Sequence, residues 1–375
     1  MEQDTRIDFL YLSEQDTIKA GVNDAEKCVD TCREVFKLLA AGDYLMGGSD
    51  HNGHGLGLIF PKESPFPNMP LAGPDRRFFA MPAYLGGQFD VCGNKWYGSN
   101  AANTAKGLPR SILTVMLNDK DTGAPLVLMS ANLLSAARTG GVPGVAAKEL
   151  ARKGSKTAAV IGCGPINRSC FRHIITQVPT LEKVYCYDLF LEKAQETANS
   201  ISAAYQIEAV ATENLEEAMG QSDVITVAAS RLKPLYIDSQ WLKKGACILL
   251  TGPVTGDAAF WTKSKIVLDH IGLHESYVRE AILSGDKESH YASLIGGPIY
   301  RLIDAGSLPP LQDFTSIGQI LTGEKPGRAC DGDIYVFVAC GMAVFDVGLG
   351  YTIYKNALEK GIGQKLCLWE KPALG

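Results

Sequence analysis

The stretch Thr157-Ala158-Ala159-Val160-Ile161-Gly162-Cys163-Gly164-Pro165-Ile166-Asn167 decides how this chain is read, because an apolar strand runs straight into a glycine turn and then into the helix RSCFRHIITQV. Gly162 permits the tight turn. Gly164 has no side chain to keep a pyrophosphate from the amides at the helix start. Asn167 stands where a third glycine would complete the fingerprint, and Pro165 sits awkwardly within the turn. The next strand, VYCYD, ends on Asp188, about 20 residues beyond the fingerprint, where an acidic residue accepts from a ribose 2′-hydroxyl. That carboxylate would repel a 2′-phosphate and no Arg follows it directly, so NAD is the expected cofactor. A glycine turn in an ordinary βαβ unit without nucleotide is the plainer alternative.

Working outward, the segments after residue 156 alternate apolar strands (KVYCYD, AVAT, DVITVAAS, ACILLTG, KIVLD) with amphipathic helices, the pattern of a parallel sheet covered by helices. Upstream the period differs. Residues 14–41 carry apolar positions at helical spacing and stop at Gly42, which predicts one amphipathic helix. Residues 43–92, rich in Gly, Pro and His, read as long loops leading to a short strand, FFAMPA. Strands are expected at 111–118 and 125–130 around the turn DKDTG, followed by a helix from Ser135 to Arg152. Beyond about residue 310, the strand DIYVFVA and a helix carrying Val347, Leu349, Tyr351 and Tyr354 are expected to rejoin the N-terminal region, since alone they could make no core.

With 375 residues the chain exceeds one typical core, so two domains are expected, and 46% hydrophobic with 21% charged residues is an ordinary globular balance. A net charge of −5 and the lack of a Lys/Arg stripe exclude nucleic acid as the natural partner. The opening MEQDTRIDFL has no basic flank or apolar run, and no stretch approaches a membrane span, so no membrane partner and a cytoplasmic location are expected. The ten cysteines lie mostly in apolar runs, as reduced core thiols do. No metal is expected: Cys28 and Cys32 lack a second ligand pair, and His51 and His54 read as loop polarity or substrate contacts. His270 reads as a satisfied core histidine.

Several blocks resemble the ornithine cyclodeaminase/mu-crystallin family: Lys95-Trp96-Tyr97-Gly98-Ser99-Asn100 with Asn103, LNDKDTGAPLVLMSANLLSAARTGG with its Arg138-Thr139 pair, VIGCGPI, GQILTGEKPGR and GMAVFDVG. The likeness runs from about residue 78 to the C-terminus. Within the family, the KWYGSN, VIGCG, VYCYD and LTGEKPGR blocks are most similar to the branch that oxidises N-(2-amino-2-carboxyethyl)-glutamate to 2,3-diaminopropionate and 2-oxoglutarate. The resemblance implies an α/β homodimer in which a Rossmann-type NAD-binding domain (138–315) is inserted in an α+β substrate-binding and dimerisation domain (1–137, completed by 316–375).

It also implies roles. Lys95 and Arg138 match the family's carboxylate-binding pair for a small amino-acid substrate, and a guanidinium fork suits a carboxylate. A solvated strand-end lysine and a surface arginine are the alternatives. Arg110 replaces a small hydroxyl residue, implying a more acidic substrate, and Arg76 and Arg77 are either a further carboxylate contact or a solvated pair. The expected cofactor contacts are Gly162, Gly164, Pro165, Ile166, Asn167 and Asp188 with Thr139, Ala229 and Ser230. The family's catalytic Asp matches Val254 here, so either Asp257 replaces it or that step is absent, and Phe79 stands near the place of the family's Glu. The leading expectation is therefore NAD-dependent hydride transfer at the C–N bond of an amino acid or N-substituted amino acid, giving an imine that is hydrolysed. Ornithine cyclodeaminase, imine reductase or alanine dehydrogenase, and a non-catalytic mu-crystallin-like binding protein are the alternatives.

Overall fold

The computed structural model describes residues 5–229 and 233–374. They form two compact units. The first takes the chain up to Asp24, Ala41–Arg138 and everything from Met342, and the second takes Ala25–Ala40 and Thr139–Gly341.

In the first unit, strands β1 (Ile7–Leu12), β2 (Tyr44–Met46), β3 (Leu56–Ile59), β4 (Arg77–Leu85), β5 (Val91–Ser99), β6 (Ser111–Asn118), β7 (Pro125–Ser130) and β18 (Gln364–Trp369) make one mixed sheet. Its order is β18-β1-β7-β6-β5-β4-β2, with β3 added on β4. Register sets Met81, Lys95 and Val115 level across β4, β5 and β6, and Arg77, Ser99 and Ser111 level four residues away along β4. Because successive side chains alternate between faces, Arg77, Lys95 and Ser99 share one face. The helix Ala343–Lys360 packs on that face. A Cβ at Gly93 would lie 2.8 Å from Leu117 and 2.9 Å from Val347, so glycine there admits the helix. The helix buries Val344, Phe345, Val347 and Leu349, each worth about 1.5–3 kcal/mol. It ends at Gly361 in the left-handed region (φ 63°).

The second unit contains β8 (Thr157–Ile161), β9 (Lys183–Tyr187), β10 (Glu208–Thr212), β11 (Val224–Val227), β12 (Leu235–Ile237), β13 (Cys247–Leu250), β14 (Val254–Gly256), β15 (Lys265–Leu268), β16 (Thr315–Ser316) and β17 (Tyr335–Val338). Apart from the small β12-β14 pair, they form a parallel sheet in the order β10-β9-β8-β11-β13-β17-β15-β16. Between β8 and β11 the strand order reverses, which opens the crevice where a Rossmann fold takes its dinucleotide.

Three sequence expectations are corrected. The strand within DIYVFVA does not return to the first unit but lies between β13 and β15. Its residues YVFV are buried on both faces, as a central parallel strand requires. Only the helix Ala343–Lys360 and β18 complete the first unit. The predicted helix over 14–41 is two helices, Glu14–Lys19 and Ala25–Ala41, separated where Gly21 takes φ 100°. Within the second unit, the later helix sets Cys28 and Cys32 where a Cβ at Gly141 would lie 3.0 and 2.7 Å from their sulfurs, so these thiols are packing groups. Finally, the stretch read as loops contains β2, β3 and the start of β5.

A close approach of two helices governs the second unit. A Cβ at Gly140, on the helix Asn132–Leu150, would lie 2.6 Å from the Ser169 carbonyl and 2.5 Å from His173 Nδ1 on the helix Pro165–Gln177. Alanine at 140 gains about 1 kcal/mol of helix propensity but overpacks this contact by about 1–3 kcal/mol. Gly140→Ala is therefore expected to lower stability by up to about 2 kcal/mol in urea denaturation, and a gain in stability would contradict the packing.

Candidate active site

The glycine turn has the geometry its sequence implies. Gly162 adopts φ 88°, and a Cβ there would lie 2.9 Å from the Ala228 carbonyl and 3.0 Å from Ala229 Cα. Gly164 is the N-cap of the helix Pro165–Gln177, and nothing lies within 4 Å of where its Cβ would stand. This open space beside first-turn amides fits a diphosphate. Pro165, awkward in the sequence, occupies the first helical position, where proline's missing N–H costs nothing. Ile166 beside it is exposed.

Asp188, at the end of β9, holds the turn: Cys163 N donates to its Oδ2 at 2.8 Å and Phe190 N to its Oδ1 at 3.2 Å. Asn167 corrects the expectation of a cofactor contact through its side chain. It is fully buried, and its Nδ2 donates to the carbonyls of Ile161 (2.9 Å), Gly162 (2.9 Å) and Thr226 (3.1 Å) while Oδ1 accepts from Thr226 Oγ1 (2.7 Å). Where a third glycine would leave space, this amide braces the turn against β8 and β11. Thr139 is half-buried on the helix Asn132–Leu150, Ala229 is buried against Gly162, and Ser230 lies outside the described residues.

Asp257 is likewise not a free acid. It precedes the helix Ala258–Thr262, and Ser239 donates to both its oxygens, from N at 2.9 Å and from Oγ at 2.7 Å. Burial opposes its ionisation, but these bonds, together with the backbone amides of Phe260 and Ala259, outweigh burial and hold the carboxyl below its usual range. It braces two loops. Among the described residues, one group with metal-binding donor types, Asp269, His274 and Cys340, is tied by its own hydrogen bonds. Asp269 Oδ1 meets His274 Nε2 at 3.0 Å, Cys340 N donates to Oδ2 at 2.6 Å, and Tyr300 Oη meets His274 Nδ1 at 2.7 Å. His270 is depressed to about 4 by burial, in keeping with a neutral interior histidine.

In the first unit the two cations expected to bind carboxylate come together. Lys95 Nζ donates to Asp346 Oδ2 at 2.9 Å, and Arg138 Nε donates to Oδ1 of the same carboxylate at 3.2 Å. All three are buried, with side-chain exposures of 3%, 9% and 0% for Lys95, Arg138 and Asp346. Neither alternative, solvated lysine or surface arginine, survives. Burial, with the nearby Arg138 charge, pulls Lys95 down to about 8 despite Asp346. Lys95 Nζ lies 5.5 Å from the centroid of Tyr97, whose ring stacks on Phe79 at 5.6 Å. The position expected for an acid is thus filled by an aromatic.

Beyond Tyr97 a second cation group surrounds Asp75. Arg77 Nη1 pairs with Asp75 Oδ1 at 2.7 Å, Arg110 Nε with Oδ2 at 3.2 Å, and Ser99 Oγ donates to Oδ2 at 2.5 Å. Arg77 Nε is buried without a hydrogen-bond partner. Arg110, expected among the catalytic groups, is half-exposed at this outer pair, whereas Arg76 lies over the Phe60 ring (5.4 Å). Sequence reasoning missed Asp346 and Asp75. The first had a signal: one acid inside the apolar run AVFDVGLG must find a cation once buried.

The sequence profile of the ornithine cyclodeaminase/mu-crystallin family matches residues 22–361. The chain is 29% identical to the N-((2S)-2-amino-2-carboxyethyl)-L-glutamate dehydrogenase of Staphylococcus aureus, over 96% of this chain and 99% of that protein. Among solved structures it resembles the Δ1-pyrroline-2-carboxylate reductase of Thermococcus litoralis in complex with NADH and L-proline (TM-score 0.77, 26% identity, 95% of this chain and 99% of that one). It also resembles an archaeal alanine dehydrogenase dimer with bound NAD (TM-score 0.78, 26% identity, 97% of this chain and all of that one, at 100%). With its Rossmann unit, glycine turn and terminal Asp188, the chain belongs to the ornithine cyclodeaminase/mu-crystallin family, as an NAD-dependent oxidoreductase of amino-acid chemistry.

Proposed function

We propose that the chain oxidises the C–N bond of an N-substituted amino acid bearing more than one carboxylate, leaving an imine that water hydrolyses to an oxo acid and an amine. One observation carries this reading: two cation groups, Lys95 with Arg138 and Arg77 with Arg110, each organised on one aspartate, with Lys95 and Arg77 on the same face of the β4-β5-β6 sheet. NAD, when bound, supplies the acceptor for the hydride. Arg138 with Lys95 beside it orients the α-carboxylate, so that positioning replaces a chance encounter. Arg77, whose Nε is unpartnered, takes a second carboxylate, and the stacked Phe79 and Tyr97 form an apolar floor between the groups. The name of the Staphylococcus aureus relative, which describes an acidic N-substituted amino acid, agrees. Ring closure of ornithine is less suited, because Asp257 is engaged with Ser239 and Val254 offers no acid.

The working form is a homodimer. On the outer face of the first unit's sheet, Leu56, Leu58, Phe78, Trp96 and Ile112 are exposed, and Phe60, Phe78, Trp96 and Ile112 help line a groove of about 600 Å³. A patch of this kind calls for cover. The similar alanine dehydrogenase is a dimer, and a second copy of this chain is the occupant we assign. Ten free thiols suit a reducing compartment, the cytoplasm. Among the described residues no helix is long and apolar enough to cross a membrane.

The test is to supply NAD and a panel of amino acids and N-carboxyalkyl amino acids, reading reduced-cofactor absorbance and oxo-acid product. Acidic N-substituted substrates are expected to give both, and silence across the panel despite NAD binding would favour a binding protein. Arg77→Ala should lower kcat/KM about ten- to a hundredfold for a substrate with the second carboxylate, the worth of a charged hydrogen bond, and leave a monocarboxylic amino acid unaffected. Equal losses for both would contradict the assignment. In calorimetry, Asp188→Ala should weaken NADH and narrow its advantage over NADPH; unchanged affinities would remove Asp188 from the site.

A further inference from the structure

Oxidation of an amine needs a place for the proton on nitrogen. The hydride takes the C–H electron pair, the nitrogen lone pair becomes the second C–N bond, and one N–H proton must leave. A neutral amine near the substrate nitrogen can accept it. Asp257 is committed to Ser239, and Phe79 fills the place where an acid was expected, so the buried cluster on β5 offers the group.

We infer that Asp346 is a positioning residue that divides the work of the two buried cations, keeping Arg138 as the carboxylate receptor while leaving Lys95 as the group that exchanges the amine proton. This rests on the proposed function. Each carboxylate oxygen of Asp346 takes one cation, Oδ2 from Lys95 and Oδ1 from Arg138. Arg138 is thereby gripped at Nε, and its Nη2 reaches Ser135 Oγ at 3.4 Å. Arginine cannot give up its proton in a protein, whereas a buried lysine can, so the two cations differ in kind.

The charges facing Lys95 decide its state. The helix Ala343–Lys360 presents Asp346, the helix Asn132–Leu150 presents Arg138, its own strand presents the Tyr97 ring, and β4 and β6 present the apolar Met81 and Val115. Burial and Arg138 lower Lys95, and Asp346 raises it, with the balance near 8. Without Asp346 the ammonium would lose the counter-charge it meets among the described residues. With Asp346 it can both hold a proton and release it near neutral pH, which suits a reaction run in either direction. A substrate carboxylate on Arg138 then adds a second negative charge, and Lys95 returns the proton to water when the product leaves.

The experiment is the pH dependence of kcat and kcat/KM for Asp346→Asn and Asp346→Glu beside the wild type, with the same substrate, so that the substrate's own titration cancels. Amine oxidation needs neutral Lys95, so wild-type activity should fall as pH drops through about 8. Asp346→Asn should move that limb down by about 1–3 pH units, the influence of one adjacent opposite charge. Asp346→Glu should keep the limb near its original place. Lys95→Met should lose kcat and the limb together, whereas Arg138→Met should chiefly raise KM. Urea unfolding of each variant, followed by circular dichroism, reports whether the protein is folded.

A limb that stays put, or moves up, in Asp346→Asn would overturn the inference. If the wild type oxidises nothing in the panel, the proposed function fails alone. The inference is then read from the Lys95 side-chain resonance, whose titration midpoint must fall in Asp346→Asn and would overturn it by remaining unchanged. Should Asp346→Asn not fold, Lys95→Met and Asp346→Glu carry the test: retention of the limb in Lys95→Met overturns it.

Discussion

A single buried carboxylate, Asp346, stands between two buried cations, and the chemistry assigned to the first unit depends on that arrangement. A lysine and an arginine left alone in a low-dielectric interior would repel each other and resist burial. One aspartate with an oxygen for each makes the pair tolerable and leaves a net single positive charge. That residual charge is what the carboxylate binding proposed for this site would use. The helix bearing Asp346 can approach the sheet because residue 93 is glycine, so the charge balance rests on a packing detail in β5.

The second unit solves its own problem with a similar economy. Asp188 accepts the Cys163 amide and so links the end of β9 to the turn after β8. Asn167, standing where a third glycine was expected, fills the space behind the turn and satisfies three carbonyls. Gly164 stays open, facing no protein atom that a Cβ would meet. Rigid bracing behind and clearance in front are what a diphosphate cradle needs.

Much of this was legible in the sequence, for physical reasons that also explain the misses. The turn at 162–167 and Asp188 could be read because strand, turn, helix and acid obey local rules. Lys95 and Arg138 were reached through resemblance, and the structure adds that both pair with Asp346. Asp346 was not singled out, since its partners lie 251 and 208 residues away and no local pattern records such a distance. Asp257 looked available because its engagement with Ser239 is also non-local. DIYVFVA was placed in the wrong unit for the same kind of reason: a wholly apolar four-residue strand fits any buried site until its neighbours are known. The long first helix failed because Gly21 and the turn after it outweighed a continuous apolar period.

The coupling between Asp346 and Lys95 can be measured by chemical denaturation. Removing one partner of a buried ion pair costs about 3–5 kcal/mol because it strands the other charge. Asp346→Asn should therefore be strongly destabilising in the wild-type background. In a Lys95→Met background, where only Arg138 remains to be stranded, the same substitution should cost markedly less. An equal cost in both backgrounds would show that the carboxylate and the lysine do not act on one another, and the organisation assigned to this site would be wrong.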